Sequence, residues 1–255
     1  MRIKDPLGSL RDFWVDLYPT YQASSIGALK RRLFAILGDS LVGSILGQRE
    51  TTFNLREAMD NRKIFLASLS KGVLGEHISN VFGGLLVSKI QLTALARAAQ
   101  ATEDLVPFYF YVDEFQNFTN ESFKEILSES SKYKLYLTVA HQFASQLPTV
   151  IRDAIIGNVG TWFVFNSSHK DGRAIAGELS DQITADDIVK LSRFCTFTRM
   201  GTADNTFTMS TVLPPEPTEA HTKPHEIIEA SRAKYCRTKP EESITEQEAD
   251  DGFTF

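Results

Sequence analysis

The residues best placed to do chemistry are two adjacent acids, Asp113 and Glu114. They end the apolar run Phe108-Tyr109-Phe110-Tyr111-Val112 and precede Phe115-Gln116-Asn117-Phe118. A buried parallel strand reads as a short continuous apolar run, and ligand chemistry in such sheets gathers at the strands' carboxyl ends. Two carboxylates at that edge suit phosphoryl transfer. The first, Asp113, helps to hold Mg²⁺, usually through water, and the second, Glu114, polarises the attacking water; this is the Walker B arrangement. The same residues also read as a strand running into a solvated acidic turn, because apolar runs followed by acids are common.

The elements that follow would position these acids. Asn120 to Lys132 carries Phe123, Ile126 and Leu127 at i, i+3 and i+4, with Asn120 placed as an N-cap, and reads as a crossover helix. Leu135-Tyr136-Leu137-Thr138-Val139-Ala140 is a second strand-like run, ending on His141-Gln142. Two apolar strands joined by a helix make a right-handed β-α-β unit with adjacent carboxyl ends. Gln142 then lies beside Asp113 and Glu114, where its amide can donate to a γ-phosphate or to the attacking water. His141 reads more readily as a hydrogen-bonded structural residue than as a catalytic one, since the sequence shows no partner for it.

Other segments extend an α/β pattern with a mostly parallel sheet and flanking helices. Ile64 to Leu69 reads as a strand, about Gly75 to Ala101 as a long helix with a broad apolar face, Thr161 to Phe165 as a buried strand and Gly172 to Leu179 as a helix. Residues Phe194 to Val212 alternate around a turn and predict a hairpin at the sheet's edge. Before residue 60, Phe13, Trp14, Leu17 and Tyr18, then Ile26, Leu29, Leu33, Phe34 and Leu37, recur at helical spacing, so a small helical subdomain is expected over residues 1–60. The sheet-bearing domain covers 61–213, and an acidic, proline-containing tail covers 214–255.

Composition narrows the classes. The 255 residues are 42% hydrophobic, ample for a core, and the net charge is −5. From Pro214 to Phe255 there are ten acids against five bases, so the whole excess lies in the tail. That segment is poor in branched aliphatics and is expected to be mostly disordered, with a short helix around His225 to Tyr235. Its end, Asp250 to Phe255, reads as a solvated tail or as a docking peptide. Lys30-Arg31-Arg32 reads as a solvated helix face, and no broad basic stripe is visible. Cys195 and Cys236 have no zinc-like spacing, which fits a reducing cytoplasm. No apolar stretch in the sequence pattern approaches the roughly 20 residues of a membrane span.

Taken in order, Asp12-Phe13-Trp14, Leu46-Gly47-Gln48, Leu69-Ser70-Lys71-Gly72, Tyr111-Val112-Asp113-Glu114-Phe115-Gln116, Glu129-Ser130-Ser131-Lys132-Tyr133, Ala140-His141-Gln142 and Gly157-Asn158-Val159-Gly160-Thr161 resemble the C-terminal half of conjugative DNA-transfer ATPases. These are type IV secretion coupling proteins of the TraG/TraD kind, related to the FtsK and HerA motors, and the resemblance spans about residues 10–180. It implies a RecA-like domain, usually hexameric, with an inserted all-helical domain. The implied activity is ATP-driven pumping of DNA, with ATP and Mg²⁺ as cofactors of the complete motor. DNA, secretion components or a relaxase would be its partners. The expected place is the cytoplasm, with membrane association through a segment missing at the N-terminus.

Two departures from the family pattern stand out. The sequence has no Gly-x-x-x-x-Gly-Lys-Ser/Thr, which the family places upstream of everything seen here, so Met1 falls inside the expected frame and the chain alone is expected to be inactive. The family often has an arginine at the position of Ser131, acting on a neighbouring subunit's nucleotide, and another at that of Asn166. Lys132 could act on the nucleotide as a point charge, without an arginine's planar fork. The alternatives are a non-catalytic DNA- or protein-binding adaptor that keeps the motor fold, and a metal-dependent nuclease, which would need further acids or histidines near Asp113 and Glu114.

Overall fold

The computed structural model describes residues 15, 18–20, 23–46, 48, 50–214, 216 and 223–236. Helices α1 (Ala23–Leu37), α2 (Ser40–Leu46) and α3 (Leu55–Asp60) come first, then the short α4 (Lys71–Leu74) and the long α5 (Glu76–Leu95). Strand β1 (Phe108–Val112), helix α6 (Glu121–Glu129) and strand β2 (Leu135–Val139) form the expected β-α-β unit. After it run α7 (Thr149–Asn158), β3 (Thr161–Val164), α8 (His169–Leu179), α9 (Ala185–Val189), the hairpin β4 (Cys195–Met200) and β5 (Thr206–Ser210), and α10 (Pro224–Tyr235).

Apolar alternation decides which side of the parallel pair is covered. β1 and β2 pair in register from Phe108 opposite Leu135 to Val112 opposite Val139. Side chains alternate between the two faces of a strand. Phe108, Phe110, Val112, Leu135, Leu137 and Val139 therefore share one face and join a core with Val87 and Ile90 of α5, Phe123 and Ile126 of α6, and Ile151 and Ile155 of α7. The opposite face carries Tyr109, Tyr111 and Tyr136. Tyr109 and Tyr136 stack at 5.4 Å, yet Tyr109 is 61% and Tyr111 70% exposed. Gly83 of α5 allows a close approach here, since a Cβ at that position would lie 2.0 Å from the Phe118 ring.

The remaining strands form a second, antiparallel sheet in the order β3-β4-β5, with Thr161 opposite Met200. The hairpin is the one expected at the edge, and among the described residues the parallel ladder is confined to β1 and β2. Val164, Ala176, Leu179 and Ile188 make a smaller core under this sheet, and Trp162 packs against both cores. Arg199 stacks over the Trp162 ring at 5.0 Å and donates to the Val159 carbonyl.

Several sequence expectations need correction. Ile64–Leu69 pairs with no strand among the described residues; Ile64 is 88% and Leu66 81% exposed, and its one aromatic residue, Phe65, packs against Phe53. Asn120 does not cap α6, because its side-chain amide turns away and donates to Gly84 O and Ser88 Oγ of α5. One stretch, Glu76–Ala99, is long and apolar enough to cross a membrane by length and composition, contrary to the sequence reading. Val87, Ile90 and Ala94 build it into the core instead. The tail helix is found at Pro224–Tyr235, where Tyr235 meets Phe53 edge-on and Phe53 stacks on Phe65. Asp12-Phe13-Trp14, Gly47 and the tail beyond 236 lie outside the described residues.

Phe123 of α6 is wholly buried, edge-on to the Phe115 ring at 5.7 Å. Truncating a buried Phe to Ala removes its transfer energy and leaves a cavity, so Phe123→Ala should cost about 3–5 kcal/mol. An unfolding free energy from urea titration lowered by less than a third of that amount would show that this core is not the one holding β1 and β2.

Candidate functional site

The site is built where β1 and β2 end. The Ala140 N–H donates to Val112 O and the Phe115 N–H donates to Ala140 O, at 2.9 and 3.0 Å, so the two chain exits are tied to each other. Between these bonds Glu114 takes a left-handed backbone, φ 49° and ψ 41°. For a residue with a Cβ that conformation costs about 1–2 kcal/mol. Phe115, fully buried just after it, anchors the turn and holds the strain in place.

This conformation sets out the two carboxylates. Asp113 Oδ1 accepts from the Glu114 N–H at 2.9 Å, leaving Asp113 exposed at the sheet's edge. Glu114 is gripped from both sides: Oε1 accepts from Gln142 Nε2 and Oε2 from Gln116 Nε2, each at 2.6 Å. The Gln142 contact spans the two strands, as the β-α-β reading requires. Gln116 Oε1 is buried without a hydrogen-bond partner.

His141 lies beside this pair, its ring edge-on to Phe115 at 5.3 Å. Burial pushes its pKa below the ordinary 6.5, against the opposing pull of Asp171 and Glu114. Asp171, itself buried, accepts from Ser168 Oγ at the start of α8. The histidine is therefore a packing residue near the acids, held by its contact with the Phe115 ring rather than by the hydrogen bond its sequence reading expected.

Lys71 is the residue that sequence reasoning missed as part of the site. Its Nζ donates to Asn117 Oδ1 and pairs with Glu76, both at 2.8 Å, which brings a cation to the turn that carries Glu114. The signal was the Ser70-Lys71-Gly72 stretch after an apolar run, which had no partner in sequence. Lys132 goes elsewhere. It sits in the turn before β2, at the opposite end of the parallel pair, and faces Glu129 at 3.3 Å. Asn166 donates to Val189 O and Leu191 O, holding the end of β3 to α9.

Among the described residues no group of three or more His, Cys, Asp or Glu converges as a metal cage. The donor set instead fits Mg²⁺ in its usual phosphate-linked form, with one or two carboxylates and the remaining positions left to water and phosphate oxygens. Exposed Asp113, with Oδ1 engaged by the Glu114 N–H, is suited to that water-mediated role.

Residues 107–216 match the family described as the TraM recognition site of TraD and TraG. This segment is of the TraG/TraD type. No curated protein matches the chain by sequence. Among solved structures, the bacterial conjugative coupling protein TrwB in its unbound form superposes with a TM-score of 0.62 at 11% identity, over 82% of this chain and 55% of that one. TrwB with a non-hydrolysable ATP analogue gives 0.60 at 12%, over 86% and 57%. TrwB with ADP and Mg²⁺ gives 0.60 at 14%, over 80% and 52%. The fold is thus the RecA-like one of TrwB, and the chain spans little more than half the length of these structures.

The histidine supplies a test of the site's packing. Its folded pKa lies below the unfolded value, so the unfolded state binds the extra proton first. The stability contributed by neutral His141 is fully present above about pH 6.5 and is lost as pH falls through the folded pKa. His141→Asn should flatten the fall in urea midpoint between pH 7.5 and pH 5 relative to the native chain; parallel curves for the two proteins would show that His141 is solvated.

Proposed function

We propose that this chain supplies the Mg²⁺- and water-handling edge of an ATP-driven coupling motor that moves DNA, or a DNA–protein substrate, in conjugative transfer. The observation that carries the reading is the Glu114–Gln142 hydrogen bond across the carboxyl ends of β1 and β2. The family match and the TrwB-like fold support the same class.

In this reading the site's own groups divide the work. Glu114, held by two amides, keeps its carboxylate aimed at one place, where it orients a water for attack. Gln142 spends one N–H on Glu114 and keeps the other N–H and its carbonyl oxygen for a γ-phosphate or that water. A change in phosphate occupancy then alters the Glu114–Gln142 bond and is felt along β2. Asp113 would hold the cation, and bound Mg²⁺ would neutralise the charge of the transferred phosphoryl group. Lys132, at the far end of the sheet, serves only a neighbouring subunit's nucleotide, which calls for a ring of copies, six by analogy with related motors. The phosphates themselves need an amide-rich loop that these 255 residues do not contain, so the isolated chain is expected to be inactive. The cytoplasm, next to a membrane channel, is the place where such a motor would work.

A second reading is favoured by the family's description as a TraM recognition site, which points to a protein-binding role over 107–216. An adaptor would bind a TraM-like partner or a relaxase with no nucleotide dependence. In a motor assembled with its phosphate-binding loop, Glu114→Gln should lower steady-state ATP hydrolysis by at least about a hundredfold while leaving nucleotide affinity within about twofold. Unchanged turnover would refute the motor reading, and partner capture that ignores ATP would establish the adaptor.

A further inference from the structure

Strand β5 ends the order β3-β4-β5, and no further strand pairs with it among the described residues. The Thr211 N–H donates to Phe194 O at 2.8 Å, so Phe194 and Thr211 face each other as a hydrogen-bonded pair. Such pairs alternate along an antiparallel ladder, which makes Thr196 with Met209 and Thr198 with Phe207 the next two. The N–H and C=O groups of Thr206, Thr208 and Ser210 therefore point outward, away from β4. Thr206–Ser210 contains neither a proline nor a charged residue, the usual means by which a solvent-facing edge is protected. The apolar residues that continue it are bare too, Val212 at 94% and Leu213 at 71% exposure.

A cavity of about 370 Å³ opens beside this edge, with Asp187, Lys190, Leu191, Cys195, Thr208 and Met209 among its walls. Thr208 and Ser210 present their side chains on the same face as Cys195, whose Sγ lies 3.5 Å from Ser210 Oγ. The Asp187 carboxylate is taken up by the N–H and hydroxyl of Thr184. The cations are less committed. Lys190 comes no nearer than 3.8 Å to Asp186, and Arg193 has no carboxylate partner among the described residues and stacks over the Phe194 ring at 4.8 Å. Phe194 holds a left-handed backbone, φ 65°, rare for a bulky side chain and a mark of strain at this end of β5. The site thus calls for an extended segment that carries a large apolar side chain and, two residues before or after it, an acid.

We propose that Asp251 to Phe255 of this same chain seat along β5 as an added antiparallel strand. Alternate residues of a strand share a face. With Phe253 opposite Thr208, the residues Asp251, Phe253 and Phe255 fall on the cavity face and Gly252 and Thr254 on the other. Phe253 then fills the cavity, and Asp251, opposite Ser210, meets Lys190 and Arg193. The reach is sufficient: 14 residues separate Cys236 from Asp251, about 45 Å when extended, and a domain of this size has a radius of gyration of about 17 Å. The β5 strand of a second copy is a poorer occupant, since it offers the cavity only Thr206, Thr208 and Ser210, side chains too short to fill it. Seated in this way, the segment closes the edge to strands from other chains. The seat is independent of the acid pair and of nucleotide.

Comparing the full chain with its Phe253→Ser/Phe255→Ser variant, which changes no core residue, tests this. The two free thiols give a built-in reference, because Cys195 lines the cavity and Cys236 is exposed. A seat filled about 90% of the time slows labelling and exchange beneath it about tenfold. The variant should therefore react with iodoacetamide about tenfold faster at Cys195 and at an unchanged rate at Cys236. By NMR-detected hydrogen exchange, the amides of Thr206, Thr208 and Ser210 should speed up by the same factor, while those of Phe207 and Met209, bonded to β4, stay as they were. A synthetic peptide of residues 249–255, added to the variant at about millimolar concentration, the level a short tether supplies, should restore the slow rates. Equal rates in the two proteins would overturn the proposal. So would faster exchange at Phe207 and Met209 as well, which would mean a loosened hairpin, or protection that disappears on dilution together with a dimer, which would mean a segment lent by a second copy.

Discussion

The structure depends on a pair of backbone hydrogen bonds at one spot, Ala140 to Val112 and Phe115 to Ala140. They extend the pairing to Ala140, one residue beyond β2, and to Phe115, three residues beyond β1, and fix where both chains turn away. Every functional distance is inherited from them. Glu114 meets Gln142 because the ladder sets the register, and Glu114 holds a left-handed backbone because Phe115 on one side and the ladder on the other leave it no alternative. An isolated loop could reach the same geometry only at the cost of ordering each of its residues, about 1–2 kcal/mol apiece.

This arrangement separates stability from chemistry. The core sits on one face of the parallel pair, under α5, α6 and α7, while the acids sit at its end and the tyrosines on its other face. Changes to Asp113 or Gln142 therefore touch few core contacts. The amide side chains around the turn are less independent. Gln116, Asn117 and Asn120 reach respectively to Glu114, Lys71 and α5, so the turn is linked to the long helix by side chains as well as by packing.

Much of this was legible in the sequence because the decisive signals are local. The run Phe108 to Val112 followed by acids, the i, i+3, i+4 pattern of Phe123, Ile126 and Leu127, and the run ending on His141-Gln142 fix a β-α-β unit with little ambiguity. What failed to show were choices made between distant partners. Asn120 has the right type and place for an N-cap, and only the nearness of Gly84 and Ser88 draws it away. Ile64 to Leu69 has strand composition, yet a strand exists only when another edge is available. Lys71 looked like part of a loop until Asn117 lay beside it. The resemblance to coupling proteins carried the functional class, because no periodicity distinguishes an acid pair that handles phosphate from one that ends a strand.

The contact of Tyr235 with Phe53 joins residues from opposite ends of the described chain. During synthesis Phe53 and Phe65 leave the ribosome long before Tyr235 exists, by roughly ten to thirty-five seconds at ordinary elongation rates. Through that interval the half-buried ring pair and the exposed apolar residues Ile64 and Leu66 have no companion from α10. The nascent chain thus shows a sticky aromatic patch to its surroundings for far longer than a β-α-β unit needs to form, which makes this segment a natural foothold for a ribosome-associated chaperone.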